Sequence, residues 1–230
     1  MIVIIGGAKG GVGKSLVSAI TYDYLLSQGS NPVLIETDNS NPDVFKMYHN
    51  KDYNGYKVEP YAKDMDTDKG WAAILNIMSD TAAANRDVVL NTAARNSSKI
   101  AENGESINII SESIDVITLW VINDNRDSII LLKDYISIVK QRICVIKNGY
   151  FGEESDFGLF EESQLRKDKV IPSVYIPKYT DAMREAIYNQ RKAIFELDQS
   201  LSFGDRILAG ARLRKSREAI KTALDTAVKV

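Results

Sequence analysis

Cysteine and histidine are scarce in this sequence of 230 residues, which contains one of each, Cys144 and His49. A single thiol excludes an internal disulfide, and it excludes an iron–sulfur cluster, which needs several thiolates. Cys144 lies within an apolar run, so we expect it in the core. His49 has no ligand partners in the sequence and is expected at a helix end or on the surface.

Net charge and long apolar segments are also scarce. The formal net charge is −2, which gives no overall attraction to nucleic acid or to an anionic membrane. No apolar stretch is long enough to span a bilayer, and the N-terminal apolar run is too short for a signal peptide. The length suits one α/β domain over residues 1–230, and the simplest compartment for it is the cytoplasm, with no membrane contact.

The N-terminal stretch MIVIIGGAKGGVGKS carries the strongest motif of the chain. Residues 2–5 are apolar and β-branched, which favours a buried strand of a parallel sheet. The glycines that follow allow backbone N–H groups to point at an anion, Lys14 supplies a charge for the β- and γ-phosphates, and Ser15 can ligate Mg²⁺. Apolar residues then recur at helical spacing up to Gly29, so the loop opens a helix. This order predicts a phosphate-binding loop, and the alternative is a glycine-rich turn that binds nothing.

The loop is also of a particular variety, because Lys9 stands five residues before Lys14 and Ala8 replaces the usual first glycine. The run Lys9-Gly10-Gly11-Val12-Gly13-Lys14-Ser15 resembles the K-G-G-x-G-K-[ST] signature of the ParA/MinD superfamily, the deviant Walker A ATPases. The resemblance implies that residues 10–16, including Leu16, bind ATP and that Ser15 binds Mg²⁺. It further implies that Lys9 reaches the phosphates of a second subunit in an ATP-dependent homodimer. The alternative for Lys9 is an ordinary surface lysine.

An acidic segment follows the next apolar run. This run, residues 32–35, is predicted to be a strand. It ends at Glu36-Thr37-Asp38, and open α/β sheets bind ligands at the carboxyl ends of their strands. The resemblance implies that Asp38 helps to position the attacking water, with Glu36 in place of the first aspartate of an Asp-x-Asp pair. The alternative for Asp38 is a turn or helix-capping aspartate.

Asn91 departs from the family pattern. It ends the buried run 87–91, where relatives carry an aspartate that holds Mg²⁺ through a water. An asparagine is neutral and is a weaker partner for hydrated Mg²⁺ than a carboxylate. We therefore expect a slow ATPase, unless another acid replaces the missing one, and we expect Asn91→Asp to accelerate hydrolysis.

The second half of the chain continues the alternation of strands and helices. The pattern predicts a broken helix over residues 95–113, strands over 114–122, 143–146 and around 174–176, and helices over 180–197 and 203–229. The resemblance makes Asn148 a candidate reader of the adenine base and Pro177 part of the adenine pocket. A turn-forming asparagine before glycine is an equal alternative for Asn148. The fold class that results is a three-layer α/β domain with a twisted, mainly parallel sheet.

The C-terminal segment is rich in basic residues, against only two acidic ones between residues 206 and 229. These basic residues are Arg206, Arg212, Arg214, Lys215, Arg217, Lys221 and Lys229. Such a stretch can contact DNA phosphates without sequence preference, and the alternative is a solvated helix face.

Three functional hypotheses follow. The leading one is a ParA/MinD-like switch ATPase that dimerises around ATP and Mg²⁺, is regulated by a partner protein, and acts in plasmid partition, conjugation or positioning of an assembly. The second is a nucleotide-binding interaction module with little or no hydrolysis, which Asn91 and Leu16 favour. The third is a small-molecule enzyme on the same fold, such as an ATP-dependent carboxylase of the dethiobiotin synthetase type, against which Lys9 argues.

Overall fold

The computed structural model describes residues 1–7, 10–93 and 102–230. The central strands occur where the sequence has short apolar runs, and shorter, more polar strands lie at the edges or in a separate hairpin. The strands are β1 (Ile2–Gly7), β2 (Val33–Glu36), β3 (Asp52–Tyr53), β4 (Tyr56–Lys57), β5 (Glu59–Ala62), β6 (Val88–Asn91), β7 (Val116–Ile122), β8 (Arg142–Asn148), β9 (Ser173–Ile176) and β10 (Val228–Lys229).

Helices connect most of these strands. They are α1 (Lys14–Ser27), α2 (Asp43–Tyr48), α3 (Asp68–Ala83), α4 (Gly104–Ser111), α5 (Arg126–Ile136), α6 (Gly158–Glu161), α7 (Gln164–Lys169), α8 (Asp181–Arg184), α9 (Leu197–Ser200) and α10 (Phe203–Thr226). Several of them begin at a side-chain cap; for example, the Thr67 side chain accepts from Gly70 N and the Asn125 side chain accepts from Asp127 N.

The described residues form an eight-stranded sheet with the order β10-β8-β7-β1-β6-β2-β5, and β9 also pairs with β8. All of these pairs are parallel except β10 with β8. β10 pairs with the first residues of β8 and β9 with the last ones, so both strands share one edge of β8. β3 and β4 form a separate hairpin. Because β1 lies in the middle, the loop after it opens at the centre of the carboxyl edge.

The sheet separates two apolar clusters. Val3 and Ile5 of β1 belong to a buried cluster that includes Ile20 of α1 and side chains of α10. The alternate residues Ile2 and Ile4 belong to a second cluster with side chains of α3 and α5. Alternation of side chains along a strand therefore buries both faces. The three-layer α/β fold predicted from the sequence is confirmed.

Two sequence predictions differ from the structure. The segment 180–197 is an interrupted series of short turns, α8 followed by a π-helical segment (Glu185–Asn189) and a 3₁₀ turn (Ile194–Glu196), rather than one helix. The last helix ends at Thr226, and the final residues pair with β8 as a strand. Of the predicted helix over 95–113, the described part is α4, and residues 94–101 lie outside the described ranges.

Candidate nucleotide-binding site

A cavity of about 330 Å³ lies at the carboxyl edge of the sheet, where β1, β2, β6 and β8 end. A volume of this order is at the lower end of the range for small-molecule sites. The cavity brings together most of the residues that the sequence singled out. Those that line it are Gly10, Gly11, Gly13, Lys14, Ser15, Leu16, Asp38, Asn91, Asn148 and Pro177.

The phosphate loop, residues 8–15, forms the floor of this cavity where it is described. Gly11 and Gly13 have φ of 79° and 104°, a conformation that side chains rarely adopt. Gly13 also has no room for a side chain, because a Cβ there would overlap the amide nitrogen of Asn148. Val12 does not line the cavity; its side chain is buried in the core, and its carbonyl accepts a hydrogen bond from Asn148 Nδ2 at 2.8 Å. This hydrogen bond therefore connects the phosphate loop to the end of β8.

Lys14 is the charged group of the floor, with only 7% of its surface exposed. Burial lowers the pKa of its ammonium to about 8, and the negative charge of Asp38 opposes that shift. Burying an ammonium is unfavourable unless an anion compensates the charge. A buried lysine at the start of α1, facing a cavity that glycine backbone surrounds, fits a phosphate group.

Ser15 and Leu16 follow Lys14 in the first turn of α1 and also line the cavity. The Ser15 hydroxyl fits the role of a ligand to Mg²⁺ that is bound to a nucleotide, because Mg²⁺ takes few protein ligands beside phosphate oxygens and water. Leu16 is largely buried and contributes an apolar part of the wall. Lys9 lies outside the described residues.

Asp38 lies just beyond β2 and is partly buried. Its Oδ1 accepts hydrogen bonds from the backbone N–H groups of Ser40 at 3.0 Å and Asn41 at 2.9 Å. This is the turn-forming arrangement that the sequence left open. Asp38 also lines the cavity, and its negative charge raises the pKa of Lys14. The turn-forming role of Asp38 is therefore compatible with its predicted role beside the nucleotide.

Glu36 and Asn91 form a buried pair, since each is 1% exposed. They are register partners at the ends of β2 and β6, and Asn91 Nδ2 donates to both carboxylate oxygens of Glu36 at 2.9 and 3.0 Å. A carboxylate therefore stands directly behind the neutral residue of β6. The expectation that Asn91→Asp accelerates hydrolysis no longer follows, because the new charge would lie against Glu36.

Asn148 uses both ends of its side-chain amide within the protein. Besides the bond to Val12, its Oδ1 accepts from Tyr150 N at 3.1 Å, which matches the turn-forming alternative. Asn148 and Pro177 both line the cavity, so a contact of either one with an adenine base stays a prediction.

The side wall of the cavity contains residues that the sequence reasoning missed, namely Tyr150, Arg184 and Tyr188. The Arg184 guanidinium lies 4.9 Å from the centre of the Tyr150 ring, an arrangement typical of a cation–π contact. Tyr150 lies in the turn after β8, Arg184 is the last residue of α8, and Tyr188 lies in the π-helical segment that follows. The only sequence signal for them was their position after the carboxyl ends of two strands.

Several basic residues of α10 are less available to bind DNA than the sequence suggested, because they have partners within the fold. Arg217 pairs with the buried Asp23 at 2.8 Å, Arg212 Nε donates to Lys178 O at 2.8 Å, and Lys221 pairs with Asp225 at 3.1 Å. Arg214 and Lys215 are exposed. None of the helices within the described ranges combines the length and the apolar composition that a bilayer-spanning segment needs.

Known proteins were compared with this chain by sequence and by fold. No family model matches the chain. Among solved structures, an ATP complex of a McdA variant from Cyanothece has a TM-score of 0.62 at 16% identity and covers 100% of this chain and 98% of its own. A chain of the MinC:MinD cell division complex from Aquifex aeolicus has a TM-score of 0.63 at 15% identity and covers 100% and 97%. These two likenesses show the fold class of the chain, a three-layer α/β domain with the glycine-rich loop after its central strand.

One sequence relative narrows this class. Protein MobD from Acidithiobacillus ferrooxidans is 37% identical over 230 residues, which cover 97% of this chain and 96% of that protein. The chain belongs to the MobD family.

Proposed function

We propose that this protein is a switch ATPase that binds ATP with Mg²⁺ in the cavity and dimerises around it. The observation that carries the proposal is the buried Lys14, whose pKa burial lowers and which faces a cavity floored by the phosphate loop. A phosphate group in the cavity would form a charge-assisted contact with that ammonium in largely buried surroundings. The whole chain, 1–230, is proposed as one nucleotide-binding domain.

The chain's own residues have distinct proposed roles in hydrolysis. The backbone N–H groups of residues 10–15 and the Lys14 ammonium bind the β- and γ-phosphates and hold them in line with the attacking water. Ser15 would hold Mg²⁺, which when bound neutralises charge that develops on the phosphate oxygens. Asp38, beside Lys14, positions the water. Lys9 is proposed to act on the phosphates of a second subunit.

The kinship with MobD supports a role in conjugative DNA transfer, and plasmid partition is the nearest alternative. A switch of this kind works through a partner protein that reads the nucleotide state. Non-specific DNA is a further proposed partner. Because Arg217, Arg212 and Lys221 have partners within the fold, Arg214 and Lys215 are the proposed DNA contacts on α10.

A nucleotide-binding interaction module with little hydrolysis is the second candidate. The observation that favours it is the neutral Asn91 on the cavity wall, with the nearest additional carboxylate, Glu36, buried behind it. Such a protein would bind ATP and dimerise but release phosphate very slowly.

The experiment is size-exclusion chromatography with light scattering, in the presence of ATP, ADP or no nucleotide, combined with a phosphate-release assay. We expect a dimer with ATP and a monomer in the other two conditions. Lys9→Ala should bind ATP but remain monomeric, whereas Lys46→Ala, an exposed lysine on α2, should behave as wild type. A wild type that stays monomeric with ATP and with a slowly hydrolysed analogue would refute the switch. Dimerisation without phosphate release would favour the interaction module.

A further inference from the structure

Glu36 is the buried acceptor of a small hydrogen-bond network at the end of β2. Besides the two contacts from Asn91 Nδ2, its carboxylate accepts from the backbone N–H of Asp38 at 2.9 Å and of Val44 at 3.2 Å. One carboxylate therefore connects the turn that carries Asp38, the first residues of α2, and the end of β6. Glu36 is not itself part of the cavity wall, while Asn91 is.

The orientation of the Asn91 amide follows from this network. An ionised carboxylate only accepts hydrogen bonds, so the NH₂ group of Asn91 must face Glu36. The amide oxygen then faces the other way, toward α1, where Oδ1 accepts from Ser18 Oγ at 2.8 Å. Ser18 lies one turn after Ser15 in α1. The Asn91 amide is thus fixed in one orientation, between the Glu36 carboxylate on the neighbouring strand and the Ser18 hydroxyl of α1.

We propose that Glu36 is a positioning residue and that Glu36 and Asn91 divide between them the work of one cavity-wall acid. Glu36 carries the negative charge, and Asn91, which lines the cavity, is held in one orientation between Glu36 and Ser18. The proposal rests on the proposed binding of ATP with Mg²⁺, and it names the residues that replace the missing acid of β6.

The electrostatics favour one negative charge, and not two, shared between positions 36 and 91. Burial raises the pKa of Glu36 to about 7, and the hydrogen bonds from Asp38 N, Asn91 and Val44 N oppose the shift. Two carboxylates at hydrogen-bonding distance cannot both be ionised at ordinary cost. An acid at position 91 is therefore compatible with this fold when position 36 is neutral.

Exchanging the residues at positions 36 and 91 tests the division of roles between them. The variants are Asn91→Asp, Glu36→Gln, and the double variant Glu36→Gln/Asn91→Asp, in which the new amide at 36 can donate to the new carboxylate at 91. Glu59→Gln on the neighbouring strand β5 is the matched control, since Glu59 pairs with Arg86 outside the cavity. The measurements are the unfolding equilibrium constant in urea and the Mg²⁺ concentration for half-maximal ATP binding.

We expect Asn91→Asp alone to raise the unfolding constant about tenfold or more, and the double variant to return to within about threefold of wild type. The double variant should also need less Mg²⁺ than wild type, by about threefold or more, because its charge lies on the cavity wall. Glu36→Gln alone removes the wild-type charge and should need more Mg²⁺ than wild type, and this requirement would not change if the pair were only structural.

Two results would overturn the proposal: a double variant as unstable as Asn91→Asp, or a Mg²⁺ requirement of stable Glu36→Gln equal to that of wild type. A wild type that binds no ATP would overturn the proposed function and the positioning role together. The stability measurements of the same variants would still report whether the two residues are coupled, so the two failures can be told apart.

Discussion

The side chain of Arg217 in α10 forms an ion pair with Asp23 in α1 at 2.8 Å, and only 1% of the Asp23 side chain is exposed. Burial raises the pKa of the Asp23 carboxyl, and the hydrogen bond and charge of Arg217 oppose that shift. The pair joins the helix of the phosphate loop to the last helix. Arg217 therefore has a structural role and is not available as a surface cation for DNA.

Loss of this pair should destabilise the fold. Arg217→Ala leaves the Asp23 carboxylate buried without its partner, and we expect the free energy of unfolding to fall by about 2 kcal/mol, less than for a fully buried pair because Arg217 is partly exposed. Urea denaturation measures the change. Arg214→Ala, on an exposed part of the same helix, is the control and should change the free energy by less than about 0.5 kcal/mol. Equal stability of the two variants would mean that the ion pair contributes nothing.

DNA binding, if α10 mediates it, should depend on the exposed cations. Arg214→Glu/Lys215→Glu should weaken non-specific duplex binding by the ATP-loaded protein and reduce its salt dependence, because fewer phosphates are neutralised. Fluorescence anisotropy with a labelled duplex at several salt concentrations measures both effects. Lys46→Glu/Lys69→Glu, which makes the same change in net charge on α2 and α3, serves as the control. The solvated-face alternative is favoured by a wild type that binds no duplex at low salt.

Hydrolysis should depend on the charge of Asp38. Asp38→Asn keeps an oxygen for the amides of Ser40 and Asn41 but removes the charge, so we expect ATP binding to persist while phosphate release falls about 100-fold. Asp52→Asn is a matched control, because Asp52 makes a similar turn contact to Gly55 N in the β3–β4 hairpin. A turnover equal to wild type in Asp38→Asn would assign the water-positioning role to another group.

ATP affinity should depend on pH through Lys14. Since burial lowers the Lys14 pKa to about 8, the ammonium is charged below pH 8 and loses its proton as the pH rises through that value. The phosphates bind the protonated form, so affinity should be constant below pH 8 and fall by up to about tenfold per pH unit above it. Calorimetry in buffers of different ionisation enthalpy should detect proton uptake above pH 8. An affinity that does not change between pH 7 and pH 9.5 would contradict this assignment.

Local sequence patterns were sufficient to predict much of the fold. The β-branched runs gave β1, β2, β6 and β8, because a strand buried on both faces needs apolar residues at nearly every position. The glycine loop between β1 and α1 was recognisable since its chemistry lies within a few consecutive residues. The interrupted segment after α8 was not predictable, because its helical periodicity continues through the π-helical segment Glu185–Asn189.

Contacts between distant residues were the part of the site that the sequence could not supply. Glu36 and Asn91 are 55 residues apart and meet because β2 and β6 are neighbours in register. Asn148 and Val12 are 136 residues apart and meet because β8 ends beside the loop. Each of these residues was noticed alone, and only the strand order shows that they are partners.

Direct titration of MgATP into the wild type and Lys14→Ala by isothermal calorimetry tests most directly whether this cavity is a nucleotide site. Lys14 supplies the buried charge that faces the phosphates, so its removal should weaken binding by about 100-fold or more. Lys46→Ala removes an exposed lysine and should bind as tightly as wild type. We predict saturable binding by wild type and Lys46→Ala and no measurable binding by Lys14→Ala. Equal affinity of Lys14→Ala and wild type for MgATP would contradict the assignment of the phosphate loop.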